Sequence, residues 1–217
     1  MGIVFGITGT KGPAYNVLLK SATYEIRAYE GYLTAETHTN GDNGFNTLAN
    51  YIGVFGTPEN NVSQPLSMTH PVFMETTKKI DMTSPVLTQA SVMKFVLPAE
   101  YKTIDQAPKP TDVRVVIKQH NPQFVAVIGF SGWYSEHSGL THLMKLARTL
   151  KTDGYINIQD EANASELPWS VAQYHPPFTL PFLRLNEVWI QLDPSVSEPL
   201  RKLLEKQQNE LNKHPDL

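Results

Sequence analysis

Histidine is the main candidate metal-binding side chain in this sequence. The chain contains seven histidines and no cysteine, so disulfides, thiolate metal sites and a cysteine nucleophile are excluded. A Walker loop, a dinucleotide glycine fingerprint and a His-Glu-x-x-His motif are also absent from the sequence. His137 and His142 lie five positions apart on a predicted helix, which turns them about 140° away from each other. That spacing disfavours a shared metal ion.

An uncharged stretch from Leu167 to Leu183 is the most unusual part of the sequence. Its prolines and aromatic residues are Pro168, Pro176, Pro177, Pro181, Trp169, Tyr174, Phe178 and Phe182. Because proline cannot donate to a strand ladder, we predict a stiff loop over residues 176–181. Such a loop either packs on the protein's own core or forms the wall of an apolar ligand site. Residue chemistry alone favours the core. His175 adds an imidazole there, which serves in proteins as a hydrogen-bonding group or as a haem ligand.

Period-two alternation and helical spacing predict the elements that hold these residues. The predicted strands cover residues 14–19, 24–29, 33–37, 92–97, 113–118, 124–131, 155–158, 171–174 and 187–192. Helices are predicted over 45–52, around 140–150 and over 196–212. Strands and a helix alternate twice, which predicts an α+β domain of two similar halves with an antiparallel sheet curled around its core.

Composition divides the chain into three parts. Residues 1–13 form a glycine-rich tail, residues 14–193 one domain, and residues 194–217 a helical extension. The extension carries a stripe of leucines, which either packs on the domain or forms a homodimer contact. Within the domain, Met68–Val72 and Met82–Val86 share the pattern Met-Thr-x-Pro-Val, and we interpret them as two arms of a hairpin.

Charge and hydropathy limit the partners. The formal net charge is −3, with 18 basic and 21 acidic residues, so the protein has no long-range attraction for nucleic acid. No apolar run is long enough to span a bilayer. The amino terminus does not look like a signal peptide, and we therefore expect a cytoplasmic protein.

Four motifs, in order along residues 15–192, resemble the SOUL haem-binding protein family. They are Tyr24-Glu25-Ile26-Arg27-x-Tyr29, Met82-Thr83-Ser84-Pro85-Val86, Phe95-x-Leu97-Pro98 and Asn186-Glu187-Val188-Trp189. The segments Met1–Gly6 and Tyr51–Gly56 look like the plant and algal type of this family. The resemblance implies a distorted antiparallel β-barrel of two similar halves flanked by two helices.

The resemblance also implies that haem or a related tetrapyrrole binds in an apolar cleft between the first helix and the proline-rich loop. The cleft positions in this sequence are Phe45, Leu48, Ala49, Ile52, Tyr174, His175, Pro177 and Phe178. His175 is the first candidate for an iron contact and His70 the second. Ala28 stands where some members carry a histidine, and Asp42 and Asn50 stand where others have basic residues, so charge pairing with haem propionates is not expected.

Three functions follow as hypotheses. The favoured one is a non-enzymatic haem or porphyrin carrier or buffer, because an apolar cleft binds a macrocycle by excluding it from water. The alternative is an enzyme that removes iron from haem or oxidises a porphyrin, although no acid–base constellation is readable along the chain. The third is an interaction protein whose partner binds the terminal helix.

Overall fold

A computed structural model describes residues 12–39, 44–76, 91–175 and 179–213. In that part of the chain the strands are β1 (Tyr15–Lys20), β2 (Glu25–Tyr29), β3 (Tyr32–Thr39), β4 (Val72–Thr76), β5 (Ser91–Val96), β6 (Val116–His120), β7 (Gln123–Phe130), β8 (Trp169–Gln173) and β9 (Asn186–Leu192). The helices are α1 (Gly44–Ile52), α2 (Glu136–Thr152) and α3 (Glu198–Lys213). The α+β class is confirmed.

One antiparallel sheet contains all nine of these strands, in the order β1-β2-β7-β9-β8-β4-β5-β3-β6. The predicted barrel is not confirmed, because no ladder among the described residues joins β1 to β6 and the sheet stays open. It is nevertheless strongly curled. A flat sheet would separate β6 from β7 by six strand spacings, about 29 Å, yet only Asn121 and Pro122 connect them. Such a link spans roughly 11 Å at most.

Eight of the nine strands belong to two units with the same order of elements, and β1 is added at the edge beside β2. The first runs β2-β3-α1-β4-β5 and the second β6-β7-α2-β8-β9. Each unit's first strand leaves it and pairs with the other, since β2 lies beside β7 and β6 beside β3. The central contact between the units is the ladder of β4 and β8.

Both main helices pack on the same face of the sheet and create two separate cores. The helix α1 packs on β3 and β5, and α2 on β7 and β9. The α2 core contains Leu143, Leu146 and Leu150, with Leu200 of α3 buried against it. The helix α1 ends at Gly53, whose φ of 85° suits a residue without a Cβ. None of the described helices is long and apolar enough to cross a membrane.

Two strand predictions need correction, and one lies outside the described residues. Residues 155–158 are irregular, because Tyr155 and Ile158 follow α2 and pack back onto its core, which produces the alternation without a ladder. The strand predicted from Val113 begins at Val116, since Val115 closes a turn onto the Asp112 carbonyl. The second hairpin arm, 82–86, falls in the undescribed segment 77–90.

Candidate functional site

The sheet face turned away from α1 and α2, here called the open face, carries an aromatic series across its width. The ring centroids of Tyr15 and Tyr29 lie 4.9 Å apart, those of Tyr29 and Trp189 4.6 Å, and those of Trp189 and Phe73 4.7 Å. Aromatic pairs at such distances add to the stability gained by burial alone. Curling of the sheet brings these rings together from strands of both units.

A buried carboxylate, Glu187 of β9, holds this series in place. It receives two hydrogen bonds from the guanidinium of Arg27, at 3.0 and 3.1 Å. The Tyr174 hydroxyl donates to Oε2 at 2.6 Å, and the Trp189 indole N–H donates to the same oxygen at 2.8 Å. Burial would lower the pKa of Arg27, but the charge of Glu187 and the hydrogen bonds to Glu187 and Tyr29 together raise that pKa. Burial and then Glu187 raise the pKa of Tyr174, so the phenol stays a donor.

A second buried carboxylate, Glu36 of β3, lies at the other end of the open face. Its Oε1 is 3.0 Å from His120 Nε2 and 3.4 Å from Lys94 Nζ, and its Oε2 is 2.9 Å from Lys118 Nζ. Burial alone would raise the pKa of Glu36, but hydrogen bonds from His120 and Lys118 and the charge of Lys94 lower it to about 2. Glu36 is therefore ionised at neutral pH, although it is only 3 % exposed.

A cavity of about 540 Å³ opens between the two ends of this face and is here called the open-face cavity. Its wall includes Tyr32 and Lys94 from the first unit and Trp189 from the second. The Gln123 amide donates to the Tyr32 hydroxyl at 3.0 Å across the curl. That contact joins β7 to β3, which are far apart in the strand order.

A smaller pocket of about 240 Å³, here called the notch, lies at the end of the aromatic series formed by Tyr15 and Tyr29. It is lined by Gly12, Pro13, Tyr15, Arg27, Tyr29, Pro71, Tyr174, Leu185 and Glu187. It shares no lining residue with the open-face cavity. The Glu187 carboxylate connects the two pockets, because it binds the notch residue Tyr174 and the cavity residue Trp189.

The two histidines predicted as iron contacts both lie close to the notch. The last pair of the β4–β8 ladder is Val72 with Gln173, so the same register continued outward brings Pro71 opposite Tyr174 and His70 opposite His175. Burial and then the nearby His175 lower the pKa of His70. The imidazole of His70 is therefore neutral at neutral pH, and no hydrogen bond to it is found among the described residues.

The tautomer of His175 is set by its surroundings. Its Nδ1 accepts a hydrogen bond from the Leu185 backbone N–H at 3.0 Å. An accepting Nδ1 carries no proton, so in the neutral ring the proton resides on Nε2. Iron ligation through Nε2 would require the ring to give up the bond to Leu185.

The four predicted cleft residues of α1 differ in their exposure. Leu48, Ala49 and Ile52 are buried in the α1 core. Phe45 is partly buried, with its ring centroid 5.4 Å from that of Phe95. Met68, two positions before His70, packs on the same core. The remaining cleft positions Pro177 and Phe178 lie outside the described residues, so the predicted cleft stays a prediction.

Sequence reasoning missed the carboxylate networks, although a signal was present. Lys94 stands among apolar neighbours in a predicted strand, and a charge inside such a run requires a partner when the strand is buried. Arg27 and Glu187 lie in the motifs quoted for the family resemblance, yet nothing in the sequence indicated that they bind each other. No group of three or more potential metal ligands occurs in the described part of the chain.

Solved structures with this fold belong to proteins of different kinds. The chain matches the crystal structure of the EcmrR C-terminal domain with a TM-score of 0.52 and 9 % identity, over 82 % of this chain and 98 % of that one. A hydrolase encoded by lin2189 from Listeria innocua matches with a TM-score of 0.51 and 8 % identity, over 79 % and 92 %. Such low identities establish a shared fold alone.

The family comparison goes further than the fold. No protein with a curated description matches the chain. The family model described as "SOUL heme-binding protein" matches residues 10–191, which include β1 to β8, all of β9 except its last residue, and the helices α1 and α2. By this match over most of its length, the chain belongs to the SOUL haem-binding protein family.

Proposed function

We propose that this protein binds haem or a related tetrapyrrole and acts as a carrier or buffer of it. The observation that carries the proposal is the family match over residues 10–191. The notch supports it, because two imidazoles lie near a pocket walled by aromatic and proline side chains. An apolar pocket binds a macrocycle mainly by removing it from water.

His70 is the better candidate for the iron contact. A neutral imidazole with an unprotonated nitrogen is the form that ligates iron, and burial keeps His70 in that form. His175, whose Nδ1 is engaged by Leu185, is the second. Tyr174 and Pro71 would flank the macrocycle, with Phe45, Pro177 and Phe178 as further candidate wall residues. Bound haem would supply an iron centre able to take a nitrogen ligand.

A haem titration tests the proposal. We expect a saturable change of the Soret band with a Kd at or below about 10 μM, which corresponds to roughly −7 kcal/mol. His70→Ala should change the ferric spectrum more than His175→Ala, and His137→Ala on the exposed side of α2 is the matched control. Absence of saturable binding would overturn the proposal, and equal spectra for all three variants would exclude ligation by His70 and His175.

The pH dependence of haem binding is a second test. Because the pKa of His70 is lowered below its ordinary value of 6.5, the neutral imidazole persists as the pH falls through 6.5. We expect the decline of haem affinity in acid to be centred below pH 6.5. A decline centred on 6.5 or above would argue for ligation by an unperturbed histidine.

The carrier role is distinguished from the enzymatic alternative by the fate of the ligand. After aerobic and anaerobic incubation with haem, we expect pigment analysis to recover intact haem. Iron-free porphyrin or an oxidised product would favour the enzyme. We also propose that the protein is cytoplasmic and that it is of the plant and algal type of the family. The Tyr51–Gly56 segment supports the type.

A further inference from the structure

We propose that the open-face cavity is a second ligand site, built for a planar aromatic molecule that carries a carboxylate. It is separate from the notch, because the two pockets share no lining residue, although Glu187 contacts a residue of each. Its volume of about 540 Å³ lies within the range of roughly 300–1,000 Å³ that is typical of small-molecule sites.

Flat apolar surfaces from both units form its walls. Phe73 and Trp189 are each 3 % exposed and meet edge to face, with their centroids 4.7 Å apart. The indole of Trp189 is fixed by its hydrogen bond to Glu187, and Trp169 and Tyr32 complete the aromatic lining. Rings held this firmly favour a rigid planar ligand, because little side-chain freedom is lost on binding.

The buried ammonium in the cavity wall belongs to Lys94, and the wall also contains the carboxylates of Glu75 and Glu166. The Lys94 side chain is 8 % exposed, and its ammonium lies 2.7 Å from Glu75 Oε1 and 3.4 Å from Glu36 Oε1. A buried ammonium needs a carboxylate partner. Glu36 is buried and shared with Lys118 and His120, so Glu75 makes the closest ion pair with Lys94.

Glu75 occupies the position that a ligand carboxylate would take. Its side chain is 41 % exposed, so it can turn into solvent at small cost, whereas Lys94 cannot follow. With Glu75 turned away, Lys94 loses its closest counter-charge and offers its ammonium to a ligand. Among the described lining residues the remaining carboxylate is Glu166, which is exposed to solvent, and Glu36 behind the wall is already held by Lys118 and His120. The cavity therefore offers an anion a buried cationic partner, whereas a ligand cation would have to meet the Lys94 ammonium.

Calorimetric titration with three matched probes tests the charge preference. The probes are 2-naphthoate, its neutral amide 2-naphthamide, and 2-naphthylmethylammonium, which share the same ring system. We expect 2-naphthoate to bind the full chain about tenfold or more tightly than the amide, since a hydrogen bond to a charged partner has this strength. Equal binding of acid and amide, or tighter binding of the ammonium probe, would overturn the proposal.

Two variants test whether the preference for the carboxylate probe arises at Lys94. Lys94→Gln should remove the preference for 2-naphthoate over the amide, whereas Glu75→Gln should strengthen 2-naphthoate binding by removing the internal competitor. Lys145→Gln on the exposed side of α2 should change neither. If Lys94→Gln fails to fold, the Glu75→Gln variant still tests the proposal. An unchanged or weakened affinity of that variant for 2-naphthoate would contradict the displacement of Glu75 by the ligand.

Competition with haem separates this site from the proposed function. Naphthoate affinity should be the same with and without saturating haem, and Lys94→Gln should leave the haem titration unchanged. Loss of naphthoate binding in the presence of haem would mean that the open-face cavity is not a second site. Failure of haem binding with retained naphthoate binding would overturn the carrier proposal and leave this one standing.

Discussion

Glu187 and Glu36 are two buried carboxylates on the same face of one sheet, and they differ in the exposure of their partners. Both are at most 4 % exposed. The charged partner of Glu187 is Arg27, which is 8 % exposed, and its indole partner Trp189 is 3 % exposed. Glu36 relies partly on Lys118, whose side chain is 55 % exposed. The Glu187 network is almost completely buried and meets solvent at the notch, whereas the Glu36 network reaches the surface through an exposed lysine.

This difference separates a network that fixes packing from one that can respond to a ligand. The fork of Arg27 fits Glu187 through two hydrogen bonds, a geometry that lysine cannot reproduce. Around Glu36, separate lysine and histidine side chains make the contacts, and Lys118 can leave for solvent without disturbing the others. The adaptable network, through Lys94 and His120, lines the larger cavity.

Glu187→Ala should have the largest effect on stability. It removes the carboxylate that binds the buried Arg27 guanidinium through two hydrogen bonds, so that Arg27 keeps Glu25, which is partly exposed, at 2.9 Å. It also removes the acceptor of Tyr174 and Trp189. We expect a loss of about 3–5 kcal/mol in the free energy of unfolding, which is typical of a broken buried ion pair. Urea denaturation followed by tryptophan fluorescence measures it.

The double variant Arg27→Met/Glu187→Leu is the control for that prediction. Replacing both charges by apolar side chains leaves no buried charge, so its loss should be smaller than that of Glu187→Ala. A double variant that is less stable than Glu187→Ala would mean that the carboxylate acts through Tyr174 and Trp189 rather than through Arg27.

Glu36→Ala should cost less, although Glu36 is equally buried. Lys94 keeps Glu75 at 2.7 Å, and Lys118 is free to extend into solvent. We expect a loss of about 1–3 kcal/mol, the range for deleting one partner of a buried hydrogen bond. A loss equal to that of Glu187→Ala would remove the distinction between the two networks.

The contribution of Glu36 to stability should depend on pH, because its pKa is lowered in the folded protein. Because the folded pKa is about 2, below the ordinary 4.5, ionised Glu36 stabilises the fold fully above pH 4.5. That stabilisation is lost as the pH falls towards 2. The Glu36→Gln variant should therefore lose less stability than the unmodified chain between pH 4.5 and 2 in denaturation curves. Parallel losses would show that the carboxylate is not held ionised by its neighbours.

The sequence predicts the elements of the fold better than it predicts their partners. Alternation located most strands, and the apolar stripe of α2 was confirmed at Leu143 and Leu150. The exchange of β2 and β6 between the units depends on long-range pairing, which local periodicity does not encode. The pairing of Arg27 with Glu187, 160 positions apart, depends on that exchange. His70 and His175 likewise come together through a long-range pairing, the β4–β8 ladder.

Lys118→Ala should have the smallest effect on the free energy of unfolding, and its salt dependence tests the difference between the Glu36 and Glu187 networks most directly. The Lys118 ammonium lies 2.9 Å from Glu36 Oε2, but its side chain is 55 % exposed, and such pairs contribute up to about 1 kcal/mol. The variant should shift the urea midpoint slightly at low salt, and the shift should fade at about 1 M salt, where the screening length is about 3 Å. Glu187→Ala should keep its full effect at both salt concentrations, because its ion pair is almost completely buried. A salt-independent loss for Lys118→Ala would instead make Lys118 an obligatory partner of Glu36, and the Glu36 network would then be as rigid as that of Glu187.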